Sequence, residues 1–117
     1  MRINEVVYND ALPVDGYGPG FFRVGGELRE GAVLLTPAGA RVWGGYEDTA
    51  PLLALAGEVD VLFLGTGAEI AHIPADLRRA LEEANIGVES MATGPACRSY
   101  NVLLSEGRRI ALAALPV

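Results

Sequence analysis

The sequence predicts an α+β / α/β fold: a mixed central β-sheet with helices on one face and an additional β layer from the early part of the chain. Three observations carry this. Residues 1–46 are short apolar stretches broken repeatedly by Gly-Gly, Pro and Asp-Gly turns. Residues 59–64 (VDVLFL) form a nearly continuous apolar run rich in β-branched and aromatic side chains, the mark of a strand buried on both faces. Residues 75–85 repeat apolar side chains at i, i+3, i+4 and i+7 through Leu77, Ala80, Leu81 and Ala84, the mark of one buried helix face.

The elements follow in order. Residues 2–8 read as a strand through Ile3, Val6 and Val7, and residues 15–20 (DGYGPG) as a turn-rich loop. Residues 21–24 are a short strand turned by Gly25-Gly26. Strand structure continues from Leu28 through residues 32–35 to the Pro37-Ala38-Gly39 turn, and residues 41–43 are the last strand of an antiparallel meander. Asp48 or Thr49 then caps a helix with Pro51 in its first turn, a stripe of Leu52, Leu53, Leu55 and Ala56, and a stop at Gly57. After the run at 59–64 and the helix at 75–85 come a strand at 88–91, a helix at 95–105 and a terminal strand within 108–115. Strand–helix–strand crossovers favour parallel neighbours. No repeat, low-complexity tract or linker divides the 117 residues, so one domain is expected.

Composition narrows the function. Half of the residues are hydrophobic and 21% are charged, a globular balance. No apolar run approaches the ~18 residues of a membrane span, and the first residues resemble neither a secretion signal nor a transit sequence, so a cytoplasmic protein is expected. The net charge of -6 disfavours a nucleic-acid partner. Residues 1–60 hold nine acids against four arginines, and residues 61–117 six against five, so an anion site belongs more naturally in the second part. All nine basic residues are arginine. The absence of lysine removes Schiff-base chemistry and the phosphate-reaching lysine of a P-loop. The single cysteine and single histidine, distant in sequence, cannot alone form a structural zinc site, and no cofactor is called for.

One segment is not explained by core building alone. Residues 93–101 (TGPACRSYN) combine a turn, a helix start, the only cysteine and an arginine. With Thr93 or Gly94 at the N-cap and Pro95 at the first helical position, the first turn offers unpaired N–H groups and roughly half a positive charge. Arg98 could add a bidentate grip on an anion, and Cys97 lies where a thiol pKa tends to fall. The plainer reading is a capped helix with a small buried cysteine and an ion-paired arginine. Gly65-Thr66-Gly67 ends the central strand, where ligands bind in open α/β sheets. If the strands ending near Leu64 and Met91 are parallel neighbours, Gly65, Thr66 and Gly67 face Thr93, Gly94, Cys97 and Arg98 across a shared cleft; a tight turn explains the Gly-Thr-Gly equally well. His72, after Glu69, is either a base at the rim of this cleft or an ordinary loop residue. Tyr17, Phe21 and Phe22 by the glycine-rich loop, with Trp43 and Tyr46 around Gly44-Gly45, are either core or an exposed surface for a partner.

The three motifs DGYGPGF at 15–21, LGTG at 64–67 and TGPACRSYN at 93–101, in this order, resemble the Mth-like family of uncharacterised domains. That family includes the mitochondrial complex I assembly factor 3 and the adipogenesis-associated Mth-like domain protein. The resemblance covers nearly the whole chain. It implies a three-layer β+β/α fold and brings no catalytic residues to transfer. It further implies a non-enzymatic protein-interaction or assembly role, with respiratory complex subunits or assembly factors among the partners. The mitochondrial targeting extension is not present in this chain, so a stand-alone prokaryotic member is expected, and self-association remains open. The alternative is a small-molecule anion binder or cryptic enzyme using the cleft between the 65–67 turn and the helix beginning near residue 95.

Overall fold

The computed structural model describes residues 10–117; the strand expected over residues 2–8 lies outside them. Two sheets form. The smaller is an antiparallel meander of β1 (Val14–Gly18), β2 (Phe21–Val24) and β3 (Glu27–Glu30). The larger contains β4 (Val33–Thr36), β5 (Gly39–Val42), β6 (Val61–Gly65), β7 (Gly87–Met91) and β8 (Ile110–Ala114), in the spatial order β5-β4-β8-β6-β7. Its β6 strand pairs in parallel with both β7 and β8, while β4 pairs antiparallel with β8 and β5, so the sheet is mixed as expected. Three helices complete the fold: α1 (Ala50–Leu53), α2 (Ala75–Glu83) and α3 (Thr93–Ser105).

The apolar run at 59–64 supplies β6, which lies between β8 and β7. Its side chains alternate between two cores. Leu62 and Leu64 pack with Leu52 of α1 and Leu77 and Leu81 of α2, whereas Phe63 packs with Phe22 and Val24 of β2 and Ala96, Cys97 and Tyr100 of α3. Each fully buried leucine contributes roughly 1.5–3 kcal/mol. The helices therefore do not share one face. α1 and α2 cover one side, and α3 lies on the other beside the small sheet. The reason is that β8, like β6, is apolar on both sides, with all five residues buried, so both sides need cover.

Other local differences have physical causes. The glycine-rich stretch at 15–20 is mostly strand, and the turn shrinks to Pro19-Gly20. Gly18 suits the strand because the Phe21 ring lies over it; a Cβ there would come within 2.6 Å of that ring. The strand expected to continue from Leu28 through residues 32–35 is divided at Gly31, whose φ of 81° sends β3 and β4 into different sheets. Helix α1 is a single turn without a side-chain cap, because the Asp48 carboxylate accepts instead from the Gly44 N–H at 2.9 Å. Helix α2 ends as expected at Asn85, whose φ of 63° lets Ile86 N–H return to the Leu81 carbonyl at 3.0 Å.

Candidate functional site

The parallel pairing of β6 with β7 and β8 brings three strand ends together: Gly65 stands beside Met91 on one side and Ala114 on the other. The loops that leave them converge as the sequence predicts, but they meet in direct contact. Thr93 N–H donates to the Gly67 carbonyl at 2.8 Å, and Gly67 N–H donates to Thr93 Oγ1 at 2.9 Å. Thr93 Oγ1 in turn donates to the Leu115 carbonyl at 2.6 Å, and Leu115 N–H donates to the Gly65 carbonyl at 3.0 Å. Thr66 N–H donates to the Met91 carbonyl at 2.9 Å, while its hydroxyl donates to the Glu69 carbonyl at 2.8 Å. Thr93 is the one fully buried polar residue among the described ones, and its hydroxyl both accepts and donates. Gly65 has no side chain because there is no room: a Cβ would lie 2.7 Å from Thr93 Oγ1. The space expected to be a cleft between the two turns is filled by Thr93.

Helix α3 begins two residues earlier than expected. Ala92 is the N-cap, so Thr93 is the first helical residue and Pro95 the third. Its early amides are largely used. Thr93 donates to Gly67, Pro95 has no N–H, and Ala96 donates to the Ala92 carbonyl. At Gly94 the place of a Cβ is occupied by the Tyr17 hydroxyl, and Arg98 Nη1 lies 3.6 Å from the same point. The motif at 15–21 thus packs on the motif at 93–101 through Tyr17 and Gly94.

Cys97 is 3% exposed and packed in the core under α3. Burial pushes its thiol up to about 11, and the neighbouring Arg98 charge, which favours the thiolate, does not offset this. The lowered thiol pKa expected at a helix start is therefore reversed. Tyr100 and Asn101, one turn further on the same helix face, hold the chain ahead of β1. Tyr100 Oη donates to the Leu12 carbonyl at 2.8 Å, and burial raises its hydroxyl pKa. The Asn101 amide accepts from Val14 N–H and donates to the Val14 carbonyl, both at 2.9 Å, so one side chain pairs with β1 as a neighbouring strand would. Sequence reasoning missed these roles. The available signal was a tyrosine and an asparagine at i+3 and i+4 from a buried cysteine, where polar groups require partners.

The remaining predicted residues scatter. Phe22 and Trp43 are buried, at 0% and 2% exposure, and so belong to the core and not to an interaction surface. Trp43 stacks edge-on against the half-buried Tyr46 at 5.9 Å and donates to the Asp48 carbonyl. Tyr17 is exposed and Phe21 half-buried, which keeps that corner accessible. Arg98 is exposed, with no hydrogen-bond or ion-pair partner among the described residues, at the rim of a 450 Å³ groove lined also by Phe63, Met91 and Val102. His72 lies by a separate hollow with Ile70, Ala71 and Ser90. No group of residues able to hold a metal ion occurs among the described residues, and none of their helices is long and apolar enough to cross a membrane.

A three-layer α+β protein whose glycine and threonine motifs tie strand ends to a helix start is thus defined. The chain belongs to the family of proteins of unknown function DUF498/DUF598, which matches residues 14–115. It is 50% identical over 117 residues to an uncharacterised protein of Rhodobacter capsulatus, covering all of this chain and 94% of that one. It is 31% identical over 107 residues to the NADH dehydrogenase [ubiquinone] 1 alpha subcomplex assembly factor 3 of Danio rerio, covering 86% of this chain but 62% of that protein's length. Among solved structures, one described as an outer membrane protein from Bartonella henselae superposes with a TM-score of 0.85 at 34% identity, covering 94% of this chain and 98% of that one. A Bordetella pertussis protein described as a Mth938-like domain superposes with a TM-score of 0.74 at 29% identity, covering 92% of this chain and 87% of that one.

Proposed function

We propose that this chain is a non-enzymatic, cytoplasmic protein-interaction module of the assembly type, with subunits or assembly factors of a respiratory complex as its partners. The observation that carries this reading is the match to assembly factor 3 along 86% of the chain. The geometry of the 93–101 segment supports it. The Thr93 hydroxyl, the Tyr100 hydroxyl and the Asn101 amide are all spent on holding backbone segments together, and the Cys97 thiol is buried. Such a segment stiffens a scaffold whose outer surface does the recognition. The corner of Tyr17, 41% exposed, and the half-buried Phe21 is the proposed contact, because an exposed aromatic on a rigid support is a favourable anchor.

The test is affinity capture with the tagged chain from a native lysate. Respiratory complex subunits or their assembly proteins are expected above a tag-only control, and Tyr17→Ala combined with Phe21→Ser is expected to reduce their recovery at least about tenfold. Recovery of no such protein by the wild-type chain would overturn the reading.

A further inference from the structure

β7 is the last strand of the five-stranded sheet, and one of its sides has no partner strand among the described residues. Gly87 N–H donates to the Asp60 carbonyl and the Met91 carbonyl accepts from Thr66, which turns both residues toward β6. Backbone groups alternate sides along a strand, so Glu89 also turns toward β6, and Val88 and Ser90 present their N–H and C=O groups to the open edge. The edge carries no proline, lysine or bulge, the usual devices against pairing. Each flank carries an exposed apolar side chain beside polar ones, and on the α2 side Arg78 Nη2 donates to Ser90 Oγ at 3.0 Å. On the α3 side, Val102 is 55% exposed over the groove floored by Phe63 and Met91; on the α2 side, Ile70 is 71% exposed beside Ser90. Glu89 and Arg98 both line the groove, and neither has a hydrogen-bond or ion-pair partner among the described residues.

We propose that β7 pairs antiparallel with β7 of a second copy about a two-fold axis at Ser90, joining the two large sheets into one. Three registers would satisfy outward backbone groups. One centred on Val88 sets Glu89 opposite Gly87 of the second copy, at the far end of β7 from Met91 and the groove that Arg98 lines, and so leaves both charges unmatched. A register centred on Glu89 sets that carboxylate directly against its counterpart at the close, non-hydrogen-bonded spacing, where like charges destabilise. A register centred on Ser90 lets the two serines exchange both backbone hydrogen bonds and places Glu89 opposite Met91 of the second copy. That position lies on the face of Arg98, whose neighbour Ser99 approaches Met91 Sδ at 3.8 Å. Glu89 of each copy then meets Arg98 of the other, and the patch is complementary to itself, as an isologous interface requires. The occupant is therefore a second copy of this chain.

Light scattering on the full chain, from micromolar to millimolar concentration, is expected to show a mass rising from monomer to dimer. Ser90→Pro removes an outward donor, along with the hydroxyl that accepts from Arg78, without touching the bonds to β6, and is expected to give a monomer with an unchanged circular dichroism spectrum, whereas Ser90→Ala, which loses only the Arg78 contact, is expected to dimerise like the wild type. Glu89→Arg and Arg98→Glu each create two like-charge contacts per dimer and are expected to weaken association at least about tenfold, while the double exchange restores it to within about threefold. A wild-type chain that stays monomeric throughout would overturn the proposal. So would a dimer indifferent to Ser90→Pro, or a double exchange as weak as the single variants.

Discussion

The junction around Thr93 and the margin along β7 are built from adjacent stretches of chain, yet they differ in how their polar groups are used. At the junction the Thr93 hydroxyl and amide and the backbones of Gly65 and Gly67 are all bonded to one another or to Leu115. At the margin the backbones of Val88 and Ser90 face outward, and Glu89 and Arg98 have no partner among the described residues. The unusual segment of the sequence is thus the closed one, and the unremarkable GVESM stretch holds the bonding capacity left over among the described residues. Residue types that look like chemistry can equally be what three converging strand ends and a helix start need in order to be joined.

The largest effect that would break this contrast lies at the junction. Thr93→Val keeps the shape of the side chain but leaves the Gly67 N–H and one Leu115 carbonyl interaction unmet in a fully buried place. Each such group costs about 1–3 kcal/mol, so the expected loss is about 3 kcal/mol, or on the order of 10–15 °C in Tm. Thr93→Ser keeps the hydroxyl and should lose less than half as much. Denaturant unfolding reads both values. A Thr93→Val chain within about 0.5 kcal/mol of wild type would mean that the junction is not held by these bonds.

A smaller effect is expected at Asn101. Asn101→Leu strands the N–H and C=O of Val14, but this region is only partly buried, so water can serve them in part and the cost should be about 1–2 kcal/mol. The change should also be local. Amide hydrogen exchange is expected to quicken across β1 and β2 while β6 and β8 keep their protection, because the small sheet is tied to α3 through this side chain and Tyr100. Uniform acceleration across both sheets would show that the two layers open as one unit.

Much of the fold was legible because it rested on strong periodic signals. Leu77, Ala80, Leu81 and Ala84 gave α2, and the run through Leu62, Phe63 and Leu64 gave a central strand. The convergence of the 65–67 and 93–98 segments followed from parallel pairing alone. The failures share a cause. β1 was hidden because Gly16 and Gly18 contribute no apolar alternation, and only tertiary pairing with β2 makes them strand. Phe22 and Trp43 were ambiguous because an isolated aromatic between turns has the same sequence context whether it faces the core or solvent. The closure of the cleft was hidden because Thr93 fills it from the side, a relation across 26 residues to Gly67 that no local pattern encodes.

The smallest effect concerns Cys97 and sharpens what kind of closed region the junction adjoins. Its thiol has an ordinary value of 9.0, and burial pushes it up to about 11 in the folded chain. The folded state therefore holds this proton more tightly than the unfolded state does. The resulting stability is fully present below about pH 9, and it is lost as pH rises from there through about 11, because the unfolded chain releases the proton first. Tyr100 is also raised by burial and acts in the same direction, so the wild-type curve alone does not isolate the cysteine. The difference between wild type and Cys97→Ala does. It is expected to be flat up to about pH 9 and to move in favour of the alanine chain above it. Alkylation of Cys97 by iodoacetamide at neutral pH should likewise be far slower than in the urea-unfolded chain. Rapid modification of the folded chain at pH 7, or a difference curve that bends below pH 8, would place a reactive thiolate under α3 and make the helix start a centre of chemistry rather than of packing.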